Sequence, residues 1–132
     1  SRYDEMFARL KQRNEGAFGG FLMLGDPDLD TSARLLGTMV EAGADMVEVG
    51  IPFSDPVADG PVIQAAAERA LKNGIRVDDS FALIRGLREK HPAVPIGILT
   101  YANLLSARGR ERFMADAAEA GADSILVADV PS

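Results

Sequence analysis

Four short apolar runs, FGGFLML, MVEVGI, VPIGILTYAN and DSILVADV, alternate with longer stretches whose apolar residues recur at helical spacing. That alternation constrains the fold more than any other feature of the chain. MVEVGI is almost continuously apolar, the pattern of a parallel strand covered on both faces, and parallel neighbours need long crossovers of the kind helices supply. Strand and helix in regular order give βα units with right-handed connections. The predicted strands occupy residues 18–24, 46–51, 94–103 and 123–130. Helices are predicted over 3–13, from a cap at Asp30 or Thr31 to Ala42, over 62–73, over 78–90 with Asp78 or Asp79 as cap, and over 107–120. The first helix, with Tyr3, Met6, Phe7 and Leu10 on one side, is expected to cover an apolar end of the sheet. Residues 1–132 read as a single domain.

EAGAD occurs at Glu41–Asp45 and again at Glu119–Asp123, each time closing a helix and opening a strand. The spacing is too long for a solenoid repeat, so reuse of a good αβ turn is preferred over a duplicated unit. Either way the echo aligns Glu48 with Leu126 and Gly50 with Ala128. Gly19-Gly20 inside the first strand suggests a bulge, a close backbone approach or an altered sequence. Four parallel strands do not close a barrel, and two edges and an apolar face remain open. A fragment, or a half that finds another half, is expected.

The 132 residues are 47% hydrophobic with a formal charge of −6, and Lys and Arg are interspersed with Asp and Glu, so no nucleic-acid partner is expected. There is no cysteine, hence no disulfide or thiolate metal site. No apolar run approaches the ~20 residues that span a bilayer, and the amino end has no signal-peptide core. A soluble, cytoplasmic protein without a membrane partner is expected.

In βα proteins the loops after the strands' carboxyl ends build the site. The candidates there are Gly25-Asp26-Pro27, Glu48 with Asp55 and Asp59, Tyr101 with Asn103, and Asp129. Carboxylates gathered on one rim suit a divalent cation or general acid/base catalysis. Glu48 alternates with Val47 and Val49 and so faces away from them. It reads either as a rim salt-bridge partner or as a catalytic acid whose desolvation would raise its pKa. Asp26, Asp55 and Asp59 lie among Pro and Gly, where Asp often only forms turns. Tyr101 lines a pocket or packs at the rim, and His91, the single histidine, reads as a solvated or capping residue. Neither GxGxxG nor a P-loop is present.

GDP after the first strand, E-x-G-x-P-F-S-D-P-x-A-D-G-P-x-I-Q from Glu48 to Gln64, Y-A-N-L after the third strand and L-V-A-D-V-P at the end closely resemble the tryptophan synthase alpha subunit family. The resemblance runs over essentially all of the chain and matches about the first half of that family's barrel. It implies an α/β fold, half of a TIM (β/α)8 barrel with four parallel strands, expected to be completed by self-association into a homo-oligomer. It implies retro-aldol cleavage of indole-3-glycerol phosphate to indole and glyceraldehyde 3-phosphate, in tryptophan biosynthesis. No cofactor or metal is implied for this chain; pyridoxal phosphate belongs to the beta subunit, the implied partner that receives indole.

By motif position, the resemblance makes Glu48 the acid/base and Asp59 the carboxylate that holds the indole N–H. Phe21, Leu99, Tyr101, Leu126 and Ala128 match positions lining the indole pocket, and Pro52, Asp55 and Pro56 match the loop facing the beta subunit. Two departures stand out. Gly19-Gly20 occupies the place of a Val-Pro-like pair, and the family's phosphate-binding glycine loops belong to later strands. Without a phosphate anchor the chain alone is expected to be inactive. The other readings are a self-associating half-barrel with a purely structural role, and a flavodoxin-like open sheet binding a ligand at its strand ends.

Overall fold

The computed structural model describes residues 1–53, 61–72 and 74–128, with the backbone alone at 61–64 and 67. The elements run α1 (Arg2–Gln12), β1 (Gly19–Met23), α2 (Leu29–Glu41), β2 (Met46–Gly50), α3 (Pro61–Lys72), α4 (Val77–Lys90), β3 (Ile96–Thr100), α5 (Ala102–Arg108), α6 (Arg110–Ala120) and β4 (Ser124–Val127). The strands form one parallel sheet in the order β1-β2-β3-β4, leaving β1 and β4 as its edges.

Three predicted details are corrected. The cap of α2 is Asp28, not Asp30 or Thr31: with extended backbone, its carboxylate accepts the Thr31 N–H at 2.7 Å, two residues earlier than expected. That hydrogen bond holds the Asp28 carboxyl below the usual carboxylate range. At α4 the capping position is Arg76, and Asp79 acts from within the first turn by accepting the Arg76 N–H at 2.9 Å. Asp78 instead binds Arg108. The helix predicted over 107–120 is two helices, because Gly109 takes φ +95 and interrupts the ladder; α5 begins at Ala102, and the third strand stops at Thr100.

Gly19-Gly20 is a close approach and not a bulge, since β1 pairs with β2 in unbroken register from Gly19↔Met46 to Met23↔Gly50. A Cβ at Gly20 would lie 2.3 Å from Met39 Cε on α2.

Helices α2, α4, α5 and α6 gather on one face of the sheet. There Val47, Val49, Ile96 and Ile98 pack against Leu36, Phe81, Ile84, Leu87, Leu104 and Phe113. Phe81 and Phe113 meet edge to face at 5.5 Å between ring centroids, with the Arg108 guanidinium 5.2 Å over the Phe81 ring. Val47, Ile96 and Phe113 are fully buried, so this face carries the main hydrophobic stabilisation.

The EAGAD echo has a structural cause. Gly43 and Gly121 both take positive φ, letting each chain turn from helix into strand. The aspartate that follows grips the start of the preceding strand at two points. Asp45 N–H donates to the Phe18 carbonyl at 2.7 Å while its carboxylate accepts the Phe18 N–H at 2.8 Å. Asp123 makes the same pair with Ile96, at 2.7 and 2.8 Å. Asp123 also binds Arg88 at 2.6 Å and Arg2 at 2.8 Å. Arg88 further donates to the Gly121, His91, Pro92 and Val94 carbonyls, tying the end of α4 to the starts of β3 and β4. Burial, assisted by the Arg2 charge, pushes the Arg88 guanidinium below its ordinary range, against the pull of Asp123. Through Arg2 the same network docks α1, whose Met6 and Leu10 are buried outside the main apolar cluster.

Candidate functional site

Strand alternation puts a second set of residues on the face the helices do not cover. Paired positions form two rows across the sheet there, Phe21–Glu48–Gly97–Ser124 and, one step nearer the strands' carboxyl ends, Met23–Gly50–Leu99–Leu126. Two of these eight positions are glycine, and neighbouring side chains lie over their bare backbone. A Cβ at Gly50 would stand 3.0 Å from Phe21 Cζ, and one at Gly97 would stand 3.7 Å from Glu48 Cγ. An added side chain at Gly50 would press on Phe21 and Met23, and one at Gly97 on the Ser124 and Tyr3 hydroxyls, with Glu48 at ordinary contact distance.

Glu48 projects from the middle of this face and is exposed. On β2, Val47 and Val49 are buried on the helix side and Gly50 is buried near the carboxyl end, but Glu48 itself is not. The desolvation expected around Glu48 is therefore not supplied by the described residues.

Sequence reasoning missed two neighbours of Glu48. The Tyr3 and Ser124 hydroxyls are hydrogen-bonded at 2.8 Å, and they stand 3.2 and 2.9 Å from the Cβ position of Gly97. Tyr3 is delivered by α1, whose capping box at Ser1 and Asp4 fixes where the helix begins. A polar floor thus lies beside Glu48 at the amino end of the strands. The available signal was the echo itself, which places a serine at 124 where the first copy has Met46.

The apolar candidates share the same face. Phe21 stands in the Glu48 row, and Leu99 and Leu126 stand in the next. Leu126 is 61% and Phe21 37% exposed, and Ala128 is exposed at the end of β4. Tyr101, two residues after Leu99, is buried at the capping position of α5 and lies outside the helix-side cluster. Sequence reasoning passed over Met23, which is buried in the second row.

The loop candidates divide. Asp55, Pro56, Asp59 and Asp129 lie outside the described residues, and Pro52 is buried. Asp26 does more than form a turn: Arg69 on α3 grips its carboxylate at two points, 2.8 and 3.0 Å, and the preceding Gly25 N–H donates to the buried Ser32 hydroxyl at 2.8 Å. His91 is the capping residue at the end of α4. Among the described residues no group of three His, Cys, Asp or Glu is placed to hold a metal ion. A concavity of about 430 Å³ between α2 and α4 lies on the helical side; His91 lines it, but none of the strand-end candidates does.

What the arrangement offers is one carboxylate in the middle of an apolar face, with two hydroxyls at its foot. Enclosed by a further layer, such a face would hold a flat apolar molecule against a proton donor and acceptor.

The family model described as tryptophan synthase alpha chain matches residues 7–132. The chain is 52% identical over 130 residues to the tryptophan synthase alpha chain of Escherichia coli (strain SMS-3-5 / SECEC), covering 98% of this chain and 48% of that one. Among solved structures, a chain from Aquifex aeolicus VF5 superposes with a TM-score of 0.96 at 43% identity, covering 99% of this chain and 52% of that one. A chain of the tryptophan synthase α2β2 complex from Pyrococcus furiosus superposes with a TM-score of 0.81 at 40% identity, over 87% of this chain and 46% of its own length. The chain spans about half the length of the relatives it matches.

Proposed function

This chain belongs to the tryptophan synthase alpha chain family, and from that premise we propose that it forms the first half of the barrel of a lyase cleaving indole-3-glycerol phosphate to indole and glyceraldehyde 3-phosphate. The observation that carries the reading is Glu48, set in the middle of the uncovered face with Phe21 beside it and Leu99 and Leu126 in the next row.

The chemistry asks for this arrangement. Breaking the bond between the indole ring and the glycerol phosphate side chain requires the ring to accept an electron pair. Protonation of the substituted ring carbon turns the ring into that acceptor. Removal of the side-chain hydroxyl proton then lets a C=O form as the carbon–carbon bond breaks, and its electron pair restores the aromatic indole. Glu48, as acid and then base, serves both proton transfers. Asp59 accepts a hydrogen bond from the indole N–H and stabilises the positive charge that develops there. Phe21, Leu99, Tyr101, Leu126 and Ala128 hold the ring, and the Tyr3–Ser124 pair gives the Glu48 side chain a polar floor.

In this reading the loop of Pro52, Asp55 and Pro56 meets a beta-type subunit. The relative from Pyrococcus furiosus, whose description is of an α2β2 complex, supports that partner. A cytoplasmic location fits the same reading; among the described residues no helix is long and apolar enough to cross a membrane.

The 132 residues alone are expected to release no indole, because remote binding through the phosphate is what positions such a substrate. The test is an indole-release assay on the chain alone and after mixing with the second half of a relative's barrel. Turnover that appears only in the mixture, and disappears with Glu48→Gln, supports the assignment. Full turnover of the Glu48→Gln mixture would refute the acid/base role, and indole release by the chain alone would refute the need for the second half.

A further inference from the structure

We propose that Met23 sets which ring-substituted substrates the site accepts: its thioether, meeting the Phe21 ring above the bare backbone of Gly50, bounds the space open to an indole ring. The inference rests on the lyase reading and adds to it a residue that decides specificity.

Strand register places Met23 on the uncovered face, in the row Met23–Gly50–Leu99–Leu126. Of the eight positions in the two rows, only Met23 and the two glycines are buried, and Met23 is 5% exposed. It lies outside the helix-side cluster, so its burial belongs to the site and not to the main core. The base of the side chain is fixed, because the Leu24 N–H donates to the Gly50 carbonyl at 2.9 Å and carries the β1–β2 pairing just past it. A Cβ on Gly50 would stand 3.0 Å from Met23 Cε, 3.2 Å from Met23 Sδ and 3.0 Å from Phe21 Cζ. The ends of two β1 side chains thus reach across to β2 and occupy the place that a β2 side chain would take.

The resulting wall has two unlike parts. Phe21 presents a flat, stiff ring, whereas methionine is unbranched and carries a polarizable thioether that makes favourable contacts with aromatic rings. A flat molecule seated along Leu99 and Leu126, which follow Gly50 in the row, comes against Met23 on its β1 side. Met23 is buried, so a substituent directed at it has to displace a packed side chain. In an apolar pocket a single methylene is worth about 10–200-fold in discrimination. Glu48 stands in the other row and on another strand, so a change at Met23 alters the space for the ring and leaves the carboxylate in place.

The test uses the barrel completed with a relative's second half. It compares kcat/KM for indole-3-glycerol phosphate with that for substrates carrying a methyl group on each benzo-ring carbon in turn. With Met23→Ala, at least one methylated substrate should gain about tenfold or more relative to the unsubstituted one. Met23→Leu, of similar volume, should keep the original preference. Leu22→Ala, the neighbour packed on the helix side, should cost stability and leave the preference unchanged, which separates a pocket wall from a loosened strand. A second arm needs no turnover. The chain has no cysteine, so Met23→Cys adds a thiol at a known place, and saturating indole should slow its alkylation, read by mass spectrometry of that peptide. An unchanged preference in Met23→Ala, an equal gain in Leu22→Ala or Met23→Leu, or alkylation indifferent to indole overturns the proposal. With the unaltered mixture turning over the unsubstituted substrate, any of these removes the specificity role alone. No turnover by that mixture removes the lyase reading and this inference with it.

Discussion

The two EAGAD turns share a backbone and differ in their surroundings. Both turn at a glycine with positive φ, and both set an aspartate on the preceding strand with hydrogen bonds of 2.7 and 2.8 Å. Around Asp45 nothing charged is added among the recorded ion pairs. Around Asp123 two arginines converge, and its side chain is only 9% exposed. Three residues beyond each aspartate the same position on the uncovered face carries Glu48 in one copy and Leu126 in the other. A single local device thus aligns β1 with β2 and β3 with β4, while its surroundings differ: the second copy gains two arginines, and the first carries the proposed proton-transfer residue Glu48.

The strongest way to break the comparison is to remove the aspartates. Asp123→Ala leaves Arg88 largely buried without its carboxylate, and breaking such a pair costs about 3–5 kcal/mol. Asp45→Ala removes a charge-assisted hydrogen bond from a more exposed site, at about 1.5–3 kcal/mol. Urea unfolding of the two variants should therefore show clearly separated midpoints. Coincident midpoints would mean that the arginines add nothing to the second clamp.

The glycines come next. Gly43→Ala and Gly121→Ala each force a side chain into positive φ, at roughly 1–2 kcal/mol. Around Gly43 the added methyl meets open space, whereas at Gly121 it would lie 2.6 Å from Arg88 Cγ. Gly121→Ala should be the worse of the two by urea midpoint, because Arg88 must shift away from the Gly121 carbonyl and Asp123. A smaller loss at Gly121 than at Gly43 would show that Arg88 relaxes freely and that the second turn is no more tightly held than the first.

A weaker probe is Arg2→Ala. The Arg2 side chain is 37% exposed, so its bond to Asp123 is expected to contribute only about 0.2–1 kcal/mol and to weaken with added salt. A loss as large as that of Asp123→Ala would move the weight of the network from Arg88 to α1.

Legibility in the sequence followed distance along the chain. The βα alternation, the αβ turns and the orientation of Glu48 away from Val47 and Val49 are written in local period and in glycine positions, whereas Phe21, Leu99 and Leu126 are legible as its companions only through the family resemblance. The α2 cap was misplaced because three candidates, Asp28, Asp30 and Thr31, stand within four residues and only backbone geometry selects among them. The break at Gly109 was missed because a lone glycine within a helical pattern is often tolerated. The burial of Asp123 depends on Arg2, 121 residues away, and Arg88, 35 away. The Tyr3–Ser124 pair also spans 121 residues, and the Arg69 grip on Asp26 spans 43. No local pattern encodes such pairings; they exist only after the strands have been set side by side.

The smallest expected change in stability is the one that best separates the two copies' tasks. Glu48→Leu gives the first copy the residue of the second. Glu48 is exposed, and substitutions at such positions usually move stability by no more than about 0.5 kcal/mol. Added apolar surface on the open face should leave the urea midpoint unchanged or slightly raised. When the barrel is completed with a relative's second half, the same substitution removes the proposed proton donor and acceptor, and indole release should cease. A variant losing as much stability as Asp45→Ala would place Glu48 in the scaffold, held by its hydroxyl neighbours Tyr3 and Ser124. Full stability with full turnover would leave the carboxylate with neither task, and the division of labour between the two turns would fail at the position where it matters for function.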